Sequence, residues 1–126
     1  MPLRRSFATV LVLACATGLF LPAAPASAAG AAPEHTVVAF LRDYMPSSDI
    51  TIKQGESIRF VDADPTAGPG HSFTENVPED VTPKFDSDVI PFGLYKDVPK
   101  ISSLPPGKYA VHCKIHEVVK GTLTVG

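Results

Sequence analysis

Ile50-Thr51-Ile52-Lys53-Gln54-Gly55-Glu56-Ser57-Ile58-Arg59-Phe60 consists of two short alternating runs on either side of a Gln-Gly-Glu turn signal. Ile50, Ile52, Ile58 and Phe60 take every second place, with Thr51, Lys53, Ser57 and Arg59 between them. A period of two gives each run one face for a core and one for water, so both are predicted strands. Outward from this stretch, residues 36–43 and 57–62 are rich in Val, Ile, Phe and Thr, and Met45-Pro46-Ser47-Ser48 marks a turn between residues 36–43 and the run that begins at Asp49. Residues 71–75 form another apparent strand behind Pro69-Gly70. Residues 108–113 and 121–125 repeat the alternation, with Pro105-Pro106-Gly107 as the turn ahead. No dozen residues keep a helical period free of proline. The proline-rich stretch 76–99 reads as a long connection with one short helix or edge strand. Seven to eight short strands in one domain predict an all-β, Greek-key antiparallel sandwich or barrel.

Length and composition narrow the function. The chain has 126 residues, room for one domain, and eleven Lys+Arg against thirteen Asp+Glu leave no basic surplus for a phosphate backbone. No nucleic-acid partner is expected. Residues 1–28 read as an export signal: Arg4 and Arg5, an uncharged apolar stretch from Phe7 to Leu21, and Ala26-Ser27-Ala28 as the cleavage site. Gly18, Pro22 and Pro25 interrupt the apolar stretch, which argues against a retained membrane span. Arg4-Arg5-Ser6-Phe7 partly matches a twin-arginine signal, so export by that route or the general one places the protein in the periplasm, the cell envelope or the medium. Lipidation at Cys15 ranks below both. Residues 29–35 are read as a flexible spacer and 36–126 as the domain. Removal of Arg4 and Arg5 with the signal leaves nine positive and thirteen negative residues, a net charge of −4.

Of the two cysteines, Cys15 leaves with the signal, so the exported chain carries Cys113 alone and cannot form an internal disulfide. A lone thiol in an oxidising compartment is either buried and inert or bound. On residues 108–113, Tyr109, Val111 and Cys113 share the apolar parity, whereas Lys108, Ala110 and His112 share the other. Cys113 is therefore expected to point inward at a strand end, with His116 three residues on in the following loop. His71 opens another apparent strand with the inward parity of Phe73. One thiolate and two imidazoles make the set that suits a copper electron-transfer site. The plain alternative is three unrelated residues. His35, in the spacer, and His112, on the outward face, are read as solvated side chains.

The segment 109–125, with Cys113-Lys114-Ile115-His116 followed by Glu117-Val118-Val119-Lys120-Gly121, resembles the ligand loop and last strand of cupredoxins, most of all amicyanin and plastocyanin. Residues 50–60 resemble their second and third strands, and Gly70-His71-Ser72-Phe73 their first-histidine segment. Residues 76–99 are unmatched. The resemblance implies a small exported β-sandwich holding one type 1 copper through His71, Cys113 and His116, and passing single electrons between redox proteins. It implies no enzymatic activity.

One position departs from that pattern. The family's methionine lies three or five residues after the second histidine, where this chain has Val119 and Gly121, neither of which offers a donor atom. Met45 is read as a filler of a core gap. The Gly70 carbonyl is a weak axial candidate, and Glu117 is read as a solvated carboxylate. Three strong ligands without a thioether imply a high reduction potential. Ile115, Val118 and Val119, with Pro69 and Phe92, are expected to form an apolar docking patch around His116, on a monomer. Two competing readings remain: a storage module holding zinc or colourless copper, and a small copper enzyme in which His112 helps to join a second metal.

Overall fold

A computed structural model describes residues 32–126. The expected signal, Cys15 and residues 29–31 of the spacer lie outside the described residues. Eight strands succeed one another: β1 (His35–Phe40), β2 (Asp43–Met45), β3 (Asp49–Ile52), β4 (Ile58–Asp62), β5 (Thr74–Glu75), β6 (Tyr95–Asp97), β7 (Gly107–His112) and β8 (Lys120–Val125). They form two four-stranded sheets, ordered β2-β1-β4-β6 and β3-β8-β7-β5. The two runs that flank Gln54-Gly55-Glu56 thus belong to different sheets, and the turn between them carries the chain from one layer to the other.

The sheets are mixed rather than wholly antiparallel. β1 pairs parallel with β4, setting Val37 beside Phe60, and β3 pairs parallel with β8, setting Ile50 beside Leu123. Parallel neighbours require a crossover. The chain supplies one by leaving its sheet between the members of each pair, as a Greek-key sandwich does. Alternation then fills the interior from both layers: Val37, Ala39, Ile58 and Phe60 from one, Ile52, Tyr109, Val111, Leu123 and Val125 from the other, all buried. Between them Tyr44, Phe60, Phe73 and Phe85 stack edge to face or tilted, with ring centroids 5.4–6.1 Å apart. Such aromatic pairs add stability beyond their buried area, on the order of 0.5–1.5 kcal/mol each.

Several elements differ from the sequence expectation. Residues 36–43 are not one strand. The chain reverses at Leu41-Arg42, with Leu41 at φ 56, and returns as β2 against β1, Phe40 facing Asp43. Of residues 71–75 only Thr74–Glu75 form a strand, while His71 makes a single bridge to Ile90. The long connection holds the edge strand β6 and bridges at Asp86 and Ile90, and a single 3-10 turn, Ile101–Ser103, comes after it. Met45 is 48% exposed at the end of β2 and fills no core gap. His35 is not free in solvent: it opens β1, its amide bonds Ser57, and its ring lies 2.7 Å from Glu56. No helix among the described residues is long and apolar enough to cross a membrane.

Candidate metal centre

β7 ends at His112, and its inward parity continues into Cys113, which is buried below Tyr109 and Val111. The Cys113 amide donates to the Val119 carbonyl at 3.0 Å and the Val119 amide to the His116 carbonyl at 2.9 Å, so the loop closes on itself just before β8. That closure folds His116 back over the thiol: its Nδ1 lies 3.6 Å from Cys113 Sγ. From the other side, the chain leaving β4 turns through Gly70 and delivers His71, whose ring centroid is 4.5 Å from that of His116. One ligand atom from each of His71, Cys113 and His116 lies within 4.8 Å of the others. The structure therefore brings together the three residues that the sequence singled out.

His71 is the most confined of the three, 1% exposed. Its Nδ1 has no hydrogen-bond partner although it is buried, whereas its Nε2 lies 3.2 Å from Asp64 Oδ2. Buried polar atoms are nearly always satisfied, so an orphaned ring nitrogen on a residue clustered with a thiol and a second imidazole fits a metal ligand. The donor set of two nitrogens and one sulfur fits copper, or zinc with a fourth donor.

Ser72 ties the two ligand-bearing segments together. Its amide donates to Cys113 Sγ at 3.4 Å, its hydroxyl accepts from the Lys114 amide at 2.9 Å, and its carbonyl accepts the buried Tyr44 hydroxyl at 2.7 Å. Burial raises the Tyr44 pKa, and the nearby Cys113 adds to the shift, so this hydroxyl stays a proton donor. Two acidic residues complete the surroundings. Asp62 Oδ2 accepts the His71 amide at 3.1 Å, and its Oδ1 accepts the Asp64 amide at 2.8 Å. Asp64 Oδ1 accepts the hydroxyl and amide of Thr66, and these bonds, with a smaller contribution from His71, hold its pKa down to about 2. Ser72, Tyr44, Asp62 and Asp64 were not singled out by sequence. A signal did exist for Asp62: it continues the inward parity of Ile58 and Phe60, and a carboxylate on a core-facing position needs buried donors.

The remaining candidates fall outside the cluster. Glu117 is an exposed loop carboxylate, as expected. His112 is half-exposed on the opposite face of β7, beside Thr74 and Lys120, and burial followed by the charges of Lys114 and Lys120 lowers its pKa. Val119 is completely buried, so it takes no part in an exposed patch. Ile115, Val118 and Phe92 are exposed, and Leu41, Thr66, Ala67, Val118 and His116 line one open depression. Gly70 has a φ of 124, and a Cβ there would stand 2.0 Å from the Ile90 carbonyl oxygen.

No family model matches the sequence, and no curated protein matches it either. Solved structures do. A copper-containing nitrite reductase from Thermus scotoductus superposes with a TM-score of 0.60 at 24% identity, over 75% of this chain and 22% of that one. A purple cupredoxin from Nitrosopumilus maritimus gives 0.55 at 16% identity, over 74% of this chain and 100% of that one. Auracyanin from Roseiflexus castenholzii gives 0.57 at 14%, over 73% and 95%. The fold is that of the cupredoxins.

Proposed function

We propose that this cupredoxin sandwich is a small exported carrier of single electrons that holds one type 1 copper through His71, Cys113 and His116. The observation that carries the reading is the buried, unpartnered His71 Nδ1 beside the only thiol of the described residues and a second imidazole. Bound copper would supply a one-electron couple between its cupric and cuprous states. The chain supplies the rest. Cys113 Sγ, with the Ser72 amide on it, would offer the metal a sulfur whose charge is tempered by a backbone dipole. Two sheets and a self-closed loop hold the three side chains, so little rearrangement would accompany a change of oxidation state of a bound copper. His116 is the half-exposed member of the three, and it lines one open depression with Leu41, Ala67 and Val118, where a redox partner with a small contact area is proposed to dock on the monomer.

Val119 offers no donor at the position of the family's thioether, and the Gly70 carbonyl, directly before His71, is the proposed weak axial group. A thioether favours the cupric state, so its absence supports a potential on the high side for such proteins. Residues 1–28 support export to the periplasm or beyond. His35 is engaged by Glu56 and His112 faces away from the cluster, which weighs against a two-copper enzyme. Adding cupric ion to residues 29–126 should produce an intense thiolate-to-copper absorption band that Cys113→Ala abolishes. Its persistence in that variant would overturn the ligand assignment, and a colourless complex in the wild-type protein would favour the storage reading.

A further inference from the structure

Imidazole has two nitrogens, and which of them holds the metal depends on what the other one does. Asp64 answers this for His71. Its Oδ1 takes two donors, the Thr66 hydroxyl at 2.7 Å and amide at 2.8 Å, which leaves Oδ2 free to meet His71 Nε2 at 3.2 Å. An ionised carboxylate only accepts, so Nε2 must carry the proton and the lone pair must sit on Nδ1, the buried atom without a hydrogen-bond partner, on a residue whose ligand atom lies within 4.8 Å of those of Cys113 and His116. Asp62 fixes the same residue through its backbone: one oxygen accepts the His71 amide, the other the Asp64 amide. Both aspartates are buried, at 0% and 3% exposure. Thus one buried carboxylate anchors the main chain of the ligand and another anchors its ring.

We infer that Asp64 is a positioning residue for His71, fixing the tautomer that exposes Nδ1 to the metal and biasing the site toward the more highly charged metal state. The bias is a consequence of charge. A carboxylate on Nε2–H pushes electron density into the ring and strengthens the opposite lone pair, and its own negative charge in a low-dielectric setting favours the cupric over the cuprous form. Its pull therefore opposes the effect of the missing thioether. The inference rests on the copper reading above, but the tautomer part stands apart from any metal.

Asp64→Asn is the informative variant because of Thr66. With two Thr66 donors holding the amide oxygen, the amide nitrogen of Asn would face Nε2, donor against donor, and the ring would gain by moving its proton to Nδ1. Removing such an outer partner typically costs about 10–100-fold in metal affinity. Cupric affinity, measured by competition with a chelator, should fall about tenfold more than cuprous affinity. The midpoint potential should then rise by about 59 mV, the equivalent of tenfold for a one-electron couple. Asp97→Asn, which removes an exposed carboxylate paired with Arg59, should move neither. In the metal-free wild-type protein, proton–nitrogen correlations of the imidazole should show His71 protonated at Nε2. A ring protonated at Nδ1, or an Asp64→Asn protein with wild-type potential and affinity ratio, would overturn the inference. If the variant does not fold, the wild-type tautomer decides. If the wild-type protein gives no coloured copper complex, the electron-carrier reading fails, and the tautomer still confirms or refutes the positioning role.

Discussion

The two segments that deliver the ligands are built in opposite ways. The first, from Asp62 at the end of β4 to Glu75 in β5, buries Asp62, Asp64, Ala67 and all of Gly70–Glu75, and side-chain carboxylates hold its histidine by backbone and ring. The second, the loop from Cys113 to Val119, buries only its two ends. Lys114, Ile115, Glu117 and Val118 are exposed, and the loop is held by two backbone hydrogen bonds of its own and by Ser72. One segment is a fixed floor. The other is a thin cover with a histidine at its edge, an arrangement that suits the proposed electron carrier.

The sharpest way to break this contrast is a methyl group on the floor. At Gly70 a Cβ would stand 2.0 Å from the Ile90 oxygen and 2.6 Å from its carbon, backbone atoms that cannot swing aside, at a φ of 124. Gly70→Ala should cost on the order of 4 kcal/mol or more in denaturant unfolding of the metal-free protein. Gly68→Ala, two residues earlier at φ 66 with nothing within 4 Å, should cost only about 1–2 kcal/mol. Equal costs at the two sites would show that the floor yields.

Val119 tests the buried end of the cover. It is fully buried, so Val119→Met adds volume to a packed site and should cost about 1–3 kcal/mol. If its side chain lies over the metal, the new thioether donates weakly and the potential measured by voltammetry falls. An unchanged or raised potential would mean that Val119 faces the core alone or that the Gly70 carbonyl already fills the axial place. On the cover, Val118 is 64% exposed. Val118→Asp should leave folding within about 0.5 kcal/mol of wild type and the absorption band intact. Electron self-exchange between two copies should slow about tenfold through like-charge repulsion. Unaltered self-exchange would move the docking surface away from this depression.

The contrast was only half visible in the sequence. Cys113 and His116 could be read because strict alternation through Tyr109 and Val111 assigns Cys113 a face, and three residues is a loop's reach back. The floor was harder. Residues 71–75 are all buried, so parity carries no information there, and a segment that crosses between two sheets is enclosed on both faces without being a strand. Asp62 and Asp64 look like ordinary strand-end acids until Thr66 and His71 are folded onto them. The reversal at Leu41-Arg42 was hidden because it uses neither glycine nor asparagine, the residues that normally announce a positive φ. Met45, read as core, is exposed because β2 is an edge strand whose inward place belongs to Tyr44.

The smallest expected effect sets a baseline for the buried carboxylates. Asp97 on β6 pairs with Arg59 through two hydrogen bonds, 2.7 and 3.1 Å, and Arg59 also lies 4.3 Å over the exposed Tyr95 ring. The hydrogen bond from Arg59, reinforced by its charge, holds the Asp97 pKa below the ordinary carboxylate value. A depressed folded-state pKa stabilises the protein above the unfolded value, about 3.9, and that contribution disappears as pH falls through the folded value. Arg59 is partly exposed and Asp97 exposed, so water and salt screen the pair. Arg59→Gln should therefore lower the unfolding midpoint slightly at neutral pH, and the gap to wild type should narrow below about pH 4. The part of the gap that survives in acid belongs to the Arg59–Tyr95 contact. A gap that instead widens on acidification would show that the pair does not act through Asp97. A neutral-pH gap well above about 1 kcal/mol, more than an exposed ion pair contributes, would erase the distinction between a carboxylate buried under a ligand and one lying on the rim.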